Sequence, residues 1–203
     1  MSNLKNFFFD LDGVLVDACH WHFEALNYAL QHSCGFEITY EQHLEKYNGL
    51  PTKKKLSMLG IKEELFTEII QSKNEQFDNI VEEKCSEDQD KIEIMAVLKK
   101  NNCKISCVSN SIRHTVVSVL SKIGIYDYFD LIVSNQDVVK NKPDPYPYDY
   151  AIAQLGCDPK LSIIVEDSPV GIMSACQSKA AVVWKIDNAK ELCLQNLNKI
   201  IGG

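Results

Sequence analysis

The stretch FFFDLDGVLVD, residues 7–17, decides the fold class of this chain. Three consecutive phenylalanines that end in a turn predict a short strand buried on both faces. Asp10 and Asp12 follow where this strand ends, and Gly13 indicates a turn. Two carboxylates so close together repel each other and lose hydration, so the arrangement needs a cation or a proton. This stretch alone leaves one alternative open, in which the aspartates only accept hydrogen bonds from local backbone amides.

The composition is that of a folded globular protein. The 203 residues allow one domain with an insertion or two small domains, and a hydrophobic content of 45% allows a sizeable core. The net charge of −7 argues against nucleic acid and against an anionic membrane surface as partners. It does not exclude an anionic substrate, because local lysines can outweigh the overall sign.

The sequence predicts a cytoplasmic protein. It contains no apolar run near the roughly 20 residues that a membrane helix needs. The first ten residues, MSNLKNFFFD, reach an acidic strand end too early for a signal peptide. The eight cysteines are scattered without a Cys-X-X-Cys pair, which favours reduced thiols over disulfides or a zinc site.

The second half of the chain alternates between strand and helix patterns. The segments KISCVS, LIVS, SIIVED and AVVWKI have strand character, and helical patterns separate them. This alternation predicts an α/β fold with a mainly parallel sheet and helices on both faces. The helical segment 18–84 interrupts the alternation. We therefore expect a core of residues 1–17 and 85–203 and an inserted α-helical cap of residues 18–84.

Polar residues follow each of the strands that would form the centre of this sheet. Ser109–Ser111 follow the second strand, Lys142 lies in the loop after the third, and Glu166–Ser168 end the fourth. Each signal alone is weak, because Ser-Asn-Ser and Ser168-Pro169 are also common at helix starts. Together with Asp10, they place carboxylates, a hydroxyl and an ammonium group at one edge, where parallel sheets bind ligands.

This set of side chains suits phosphoryl transfer. Clustered carboxylates bind Mg²⁺, which prefers oxygen ligands and neutralises charge so that an anionic carboxylate can attack a phosphate. Asp10 would be the nucleophile and Asp12 the general acid and base. Ser109 and Lys142 would hold the phosphoryl oxygens in the transition state.

Four segments in order, DLDGVLVD, VSNS, KPDP and VEDSPVGI, resemble the motifs of the haloacid dehalogenase superfamily. The resemblance is to its helical-cap subgroup, which includes β-phosphoglucomutase and sugar-phosphate phosphatases. It implies a Rossmann-like core with a mobile cap, and Asp10 as nucleophile. It also implies Asp12 as acid/base and main-chain metal ligand, Asp167 as metal ligand, and Glu166 as a ligand or the support of one.

The cap segment offers further candidates for substrate binding. Lys73 interrupts an apolar helical stripe between Glu63 and Glu83, where an aliphatic stem packed at the edge of the core is the alternative. The resemblance favours a lysine that faces the site, and GLPTKKKL resembles the specificity loop of the subgroup. The predicted substrate-binding residues are therefore His22, Gly49, Thr52, Lys53, Lys73 and Asn110.

The preferred function is a Mg²⁺-dependent phosphatase that hydrolyses a small phosphorylated metabolite, with a sugar phosphate expected, through an aspartyl-phosphate. The alternative is a phosphomutase of the β-phosphoglucomutase type, whose cap loop carries an arginine where this chain has Thr52 beside Lys53. Lysine is the poorer bidentate clamp for phosphate, which favours hydrolysis. A non-enzymatic receiver-like regulatory domain is an alternative of another class, against which the helical insertion argues. We expect a monomer.

Overall fold

The structure of the protein is a computed structural model that describes residues 5–202. In chain order its strands and helices are β1 (Asn6–Phe9), α1 (Cys19–Cys34), α2 (Tyr40–Gln42), α3 (Thr52–Met58), α4 (Phe66–Lys84), α5 (Gln89–Lys100), β2 (Lys104–Val108), α6 (Arg113–Lys122), β3 (Leu131–Val133), α7 (Tyr146–Gln154), β4 (Ser162–Glu166), α8 (Pro169–Gln177), β5 (Val182–Lys185) and α9 (Leu194–Gly202). Short 3₁₀ segments lie at Glu63–Leu65, Tyr126–Tyr128, Pro159–Leu161 and Ala189–Glu191, and a π-helical segment spans His43–Tyr47.

The strands form one parallel sheet in the order β3-β2-β1-β4-β5. The first strand of the chain is therefore the central one. Phe9 is in register with Cys107 of β2 on one side and with Val165 of β4 on the other. The residues that follow these three strands consequently emerge at the same height on one edge. The predicted α/β fold class with a parallel sheet is confirmed.

The central strand is buried on both faces, as the three phenylalanines predict. Phe7 and Phe9 belong to the hydrophobic cluster that α5, α6 and α9 help to build. Phe8 points to the opposite face and packs in a second cluster with Tyr148 and Ile152 of α7. Each of the three phenylalanines is fully buried. Because a strand alternates its side chains between faces, an all-apolar strand requires helices on both sides of the sheet.

Helices α1 to α4 lie between β1 and β2 in the chain. They build a hydrophobic cluster of their own, which includes Leu26 and Leu30 of α1, Leu56 of α3 and Ile69 of α4. The second half of α4 behaves differently, because Phe77 and its apolar neighbours belong to the cluster beneath the sheet. A division into a core and a cap at residues 18 and 84 remains a prediction.

Within residues 5–202, no helix combines the length and the apolar character needed to cross a lipid bilayer. All eight cysteines lie in this range and are free thiols, and Cys103 and Cys107 are buried.

Candidate active site

Three carboxylates meet where the central strands end. Asp10 directly follows β1, Glu166 is the last residue of β4, and Asp167 comes next. The backbone amide of Asp10 donates to the carbonyl of Val165 at 3.0 Å, which continues the sheet ladder by one residue. One carboxylate oxygen from each of the three acids lies within 4.8 Å of the others. The sheet register thus concentrates negative charge at this edge.

Lys142 partly neutralises this charge. Its Nζ donates to Asp10 Oδ1 and to Glu166 Oε1, both at 2.6 Å, and the ammonium group is buried. Burial disfavours the ammonium form, but the two carboxylates outweigh it and raise the pKa of Lys142. Burial and repulsion from Glu166 raise the pKa of Asp10 well above its ordinary value, although Lys142 acts in the opposite direction. The carboxylates therefore hold more negative charge than one lysine compensates.

Glu166 has little capacity left for a metal ion. Its Oε1 accepts from Lys142 at 2.6 Å and from the Tyr148 hydroxyl at 2.7 Å. Its Oε2 accepts from the Asp167 amide at 3.1 Å and, more weakly, from Ser168 Oγ at 3.4 Å. A carboxylate oxygen has about two lone-pair sites, so these contacts use most of its capacity. The geometry favours Glu166 as a fully buried support that orients Lys142 and Asp167.

Two glycines let the backbone approach these carboxylates. Gly13 has a φ of +89°, and a Cβ there would lie 2.0 Å from Asp167 Oδ2. Gly171, in the first turn of α8, would place a Cβ 1.9 Å from Glu166 Oε1. At distances this short a Cβ would force the carboxylates to shift, so both acids depend on these glycines for their present positions. The sequence alone indicates a turn at Gly13 but not this close approach.

Asp12 has a different environment from Asp10. His22 Nε2 lies 3.1 Å from Asp12 Oδ2, and the Ser111 hydroxyl donates to the same oxygen at 3.3 Å. Burial alone would raise the pKa of Asp12, but His22, Lys73 and Ser111 together hold it below its ordinary value. Burial also lowers the pKa of His22, despite its contact with Asp12, which favours the neutral imidazole. Two nearby carboxyl groups, Asp10 and Asp12, thus have pKa values shifted in opposite directions.

The Ser-Asn-Ser segment builds one wall of the site. The alternative that it caps a helix is wrong, because α6 starts after Ile112 and no side chain caps it. Ser109 Oγ accepts from the Ser111 amide at 3.0 Å. Asn110 Nδ2 donates to the carbonyls of Gly49 at 2.8 Å and Lys142 at 3.1 Å. Asn110 therefore connects the edge of the sheet with the loop before α3.

A cavity of about 180 Å³ lies between the sheet edge and the helices of residues 18–84. Every predicted site residue except Glu166 lines it: Asp10, Asp12, His22, Gly49, Thr52, Lys53, Lys73, Ser109, Asn110, Lys142 and Asp167. Glu166 is fully buried and does not line the cavity. The structure brings these side chains together, while the roles assigned to them remain predictions.

Lys73 is buried and lines this cavity, whereas a lysine at the edge of the core would keep its ammonium group in solvent. It is 6% exposed, and its Nζ lies 4.7 Å from the centre of the Phe77 ring. The imidazole of His22 stacks on the same ring, with 4.2 Å between ring centres. Burial, and next the charge of Lys55, lower the pKa of Lys73 to about 7.

Sequence reasoning missed three residues of the site. Lys55 lines the cavity, but the run Lys53-Lys54-Lys55 did not indicate which lysine faces inward. The sequence indicates Ser111 only as part of the Ser-Asn-Ser motif, although its hydroxyl donates a hydrogen bond to Asp12. No sequence signal pointed to Tyr148, whose partner Glu166 is distant in the chain.

The residues at the sheet edge fit a hard divalent cation. All the available ligand atoms are oxygens, which is the donor type that Mg²⁺ prefers. Asp167 Oδ1 is buried and has no hydrogen-bond partner within residues 5–202. Burial, with repulsion from Glu166 and Asp12, raises the pKa of Asp167 to about 7. A cation near Asp10 and Asp167 would lower the raised pKa values of both carboxyl groups.

Comparison with known proteins places these features in a family context. The family model for haloacid dehalogenase-like hydrolases matches residues 7–185. A protein of Bacillus velezensis named pyrophosphatase PpaX is 32% identical over 191 residues, which cover 91% of this chain and 85% of that protein. A phosphoglycolate phosphatase of Yersinia pseudotuberculosis is 28% identical over 173 residues, which cover 82% and 74%. The structure of a β-phosphoglucomutase from Clostridium difficile superimposes with a TM-score of 0.80 at 23% identity, covering 98% and 97%. That last likeness supports the fold.

The burial of Lys73 predicts a pH-dependent stability. Between pH 7 and the ordinary pKa of 10.5, the unfolded chain holds a proton that the folded chain has lost. This contribution therefore makes the free energy of unfolding rise with pH across that window. The charged groups that act on Lys73 are Lys55, which lowers its pKa, and Asp12 and Asp78, which raise it. A cation–π contact contributes only about 0.5–2 kcal/mol, less than the several kcal/mol that burying an unpaired ion costs.

We therefore expect Lys73→Met to melt at a higher temperature than the wild type at pH 6–7, with a smaller difference at pH 9. Thermal melts of the ligand-free protein across this range measure it. Lys54→Met, which removes an exposed lysine from the same region, controls for the loss of one positive charge. A lower melting temperature for Lys73→Met, with a difference independent of pH, would contradict the expectation.

Proposed function

We propose that this chain, which belongs to the haloacid dehalogenase-like hydrolase family, is a Mg²⁺-dependent phosphatase. Its substrate would be a small phosphorylated metabolite, hydrolysed through an aspartyl-phosphate on Asp10. The observation that carries the proposal is the arrangement around Asp10. Its carboxylate lies at the cavity wall, Lys142 holds one of its oxygens at 2.6 Å, and Asp12 lines the same cavity.

In this proposal Asp10, Asp167 and the main-chain carbonyl of Asp12 would hold the metal ion. Glu166 would support them, because its oxygens already accept hydrogen bonds from the protein. When bound, Mg²⁺ supplies positive charge that offsets the repulsion between the carboxylates and a phosphate dianion. This positive charge would lower the raised pKa values of Asp10 and Asp167 and would so favour their ionised carboxylate forms.

The first step would transfer the phosphoryl group to the protein. A carboxylate oxygen of Asp10 attacks phosphorus, an oxygen–phosphorus bond forms, and the bond from phosphorus to the leaving oxygen breaks. Asp12 donates its proton to the leaving oxygen. The dianionic ester beside Asp12 raises its pKa, so the carboxyl can enter this step protonated. Ser109 and Lys142 would donate hydrogen bonds to the phosphoryl oxygens.

The second step would regenerate Asp10. Asp12, now ionised, takes a proton from water, and the resulting oxygen nucleophile attacks phosphorus. The bond between phosphorus and the Asp10 oxygen breaks, and inorganic phosphate leaves. His22 and Ser111, which both contact Asp12 Oδ2, would hold this carboxyl group toward the cavity in both steps.

The cavity favours a small substrate. Its volume of about 180 Å³ is below the roughly 300–1,000 Å³ typical of sites for drug-sized ligands. The names of the relatives, a pyrophosphatase and a phosphoglycolate phosphatase, also point to compact phosphate compounds. A sugar phosphate with few carbons remains within the proposal. Residues 18–84 would form a cap over this cavity, with His22, Gly49, Thr52, Lys53, Lys73 and Asn110 as substrate contacts.

We propose further that the protein is a cytoplasmic monomer that needs no nucleic-acid or membrane partner. Its eight free cysteines suit a reducing compartment. The phosphomutase alternative uses the same core and differs only in the acceptor of the phosphoryl group. The receiver-like alternative is wrong, because the chain is a member of a hydrolase family.

A screen of small phosphate esters and pyrophosphate with Mg²⁺ tests the proposal. We expect release of inorganic phosphate by the wild type and none by Asp10→Asn, because the amide is nearly isosteric but a far weaker nucleophile. Asp127→Asn, at an exposed aspartate of a 3₁₀ segment, is the matched control and should retain activity. Turnover by folded Asp10→Asn would remove Asp10 from its role. Transfer to a sugar hydroxyl without phosphate release would favour the mutase.

Metal dependence gives a second prediction. Chelation should stop phosphate release and Mg²⁺ should restore it, whereas Ca²⁺, with its longer and looser coordination, should not replace it. Asp167→Ala should need a Mg²⁺ concentration at least about 10-fold higher for half-maximal activity, a shift in the range known for lost ligand support. Asp127→Ala serves as the control. An unchanged Mg²⁺ titration for Asp167→Ala would exclude Asp167 as a ligand.

A further inference from the structure

Lys55 is the inward-facing lysine of the basic run that begins α3. Its neighbours Lys53 and Lys54 are exposed, whereas Lys55 is 7% exposed and lines the cavity. Thr52 lines the same cavity one helical turn earlier, as expected for positions three apart on a helix. The next residue, Leu56, is fully buried in the cluster of α1, α3 and α4, which fixes the orientation of this turn.

Within residues 5–202, four lysines are buried, and they differ in how their ammonium groups are satisfied. Lys142 pairs with Asp10 and Glu166. Lys91 donates to two backbone carbonyls, at 2.7 and 3.0 Å. The side chains of Lys55 and Lys73 make no hydrogen bond or ion pair with any residue in this range. These two are the buried lysines of the cap segment, and both line the cavity.

Two unpaired cations in one small cavity are unfavourable without a ligand. Burial lowers the pKa of Lys55 to about 8, and the charge of Lys55 contributes to the low pKa of Lys73. A buried ammonium group is ordinarily paired or shifts toward its neutral form. The charge of Asp12 acts on both lysines, but within residues 5–202 neither ammonium group has a hydrogen-bond or ion-pair partner. The anion that suits the pair would therefore be part of a ligand.

The phosphoryl group itself is not that anion. In the proposed mechanism it is held at the sheet edge by Ser109 and Lys142, beside Asp10. Lys55 and Lys73 belong to helices α3 and α4, so they line the cavity from the helical segment and not from the sheet edge. A second negative group on the leaving part of the substrate would lie toward these helices. The small cavity limits its separation from the phosphorus to a few bonds.

We propose that Lys55, together with Lys73, forms a subsite for a second anionic group on the substrate, a carboxylate or a second phosphoryl group close to the one that is cleaved. This assignment rests on the proposed phosphatase function and adds Lys55 as a specificity-determining residue. Lys53 also lines the cavity but is exposed, so it contributes less than Lys55 to the preference for a doubly anionic substrate.

The test compares substrates that differ by one charge. Phosphoglycolate and 2-hydroxyethyl phosphate share a two-carbon skeleton, and only the first carries a carboxylate; pyrophosphate tests a second phosphoryl group. We expect Lys55→Met to lower kcat/KM for at least one of the two doubly anionic substrates about 10- to 100-fold, the range for a charge-assisted hydrogen bond. The value for 2-hydroxyethyl phosphate should change less than about twofold. Lys54→Met should leave all three substrates unaffected.

Lys55→Arg separates charge from packing, because it keeps the cation and should retain most of the preference. Lys55→Met should also melt no lower than the wild type without ligands, since an unpaired buried charge is removed while the aliphatic length is kept. Calorimetric titration of Asp10→Asn with phosphoglycolate and pyrophosphate, with and without Lys55→Met, measures the subsite without turnover. There the added substitution should weaken binding of the preferred compound by a similar factor.

The outcomes separate the two proposals. If no phosphate ester is hydrolysed but Lys55→Met weakens binding selectively, the subsite stands and the phosphatase proposal fails. If esters are hydrolysed and Lys55→Met lowers kcat/KM equally with and without the second anion, the subsite is overturned and the phosphatase proposal stands. Unchanged kinetics and unchanged binding of both doubly anionic compounds in Lys55→Met would also overturn the subsite.

Discussion

The repulsion among carboxylates at the end of the central strands is the constraint on which the rest of the site depends. The parallel register of β1 with β4 brings Asp10, Glu166 and Asp167 to one edge, where their oxygens lie within 4.8 Å of each other. Coulomb repulsion at such distances is strong in a poorly hydrated site. Several features of the structure reduce this cost: the ion pairs of Lys142, the Tyr148 hydroxyl and the backbone amide of Asp167. The remaining excess of negative charge is what makes the edge suitable for a cation.

The opposite side of the cavity carries the opposite charge. Within residues 5–202, the ammonium groups of Lys55 and Lys73 have no hydrogen-bond or ion-pair partner, and each lysine has a lowered pKa. One wall thus suits a metal ion and a phosphoryl group, and the other suits the anionic remainder of a substrate. Such a site is less stable when empty than an apolar one would be, and active sites commonly show this exchange of stability for function. A bound ligand that satisfies both walls would also hold them together, as closure of a mobile cap requires.

The sequence predicted the parts of this site that depend on local pattern. The strand ends at Asp10, Ser109 and Glu166 could be located from apolar runs and turn residues, and the parallel sheet then places them at one edge. Lys73 could be located because it interrupts a stripe with helical period. Lys55 could not, since a run of three lysines has no periodicity, and the inward position depends on where α3 begins. The support of Glu166 by Tyr148 and the need for glycine at position 13 follow from contacts between separate segments of the chain. The need for Gly171 depends on how the Glu166 side chain turns toward α8, which one sequence does not reveal.

The central claim is that Asp10 accepts the phosphoryl group, and trapping that group tests it most directly. Wild-type protein with Mg²⁺ and a ³²P-labelled substrate, quenched in acid within the first turnover, should carry label on the peptide that contains Asp10. Hydroxylamine, which cleaves acyl phosphates, should release it, and Asp10→Asn should carry none. Rapid hydrolysis with no label on the protein at any quench time, or label on a peptide without Asp10, would contradict the account.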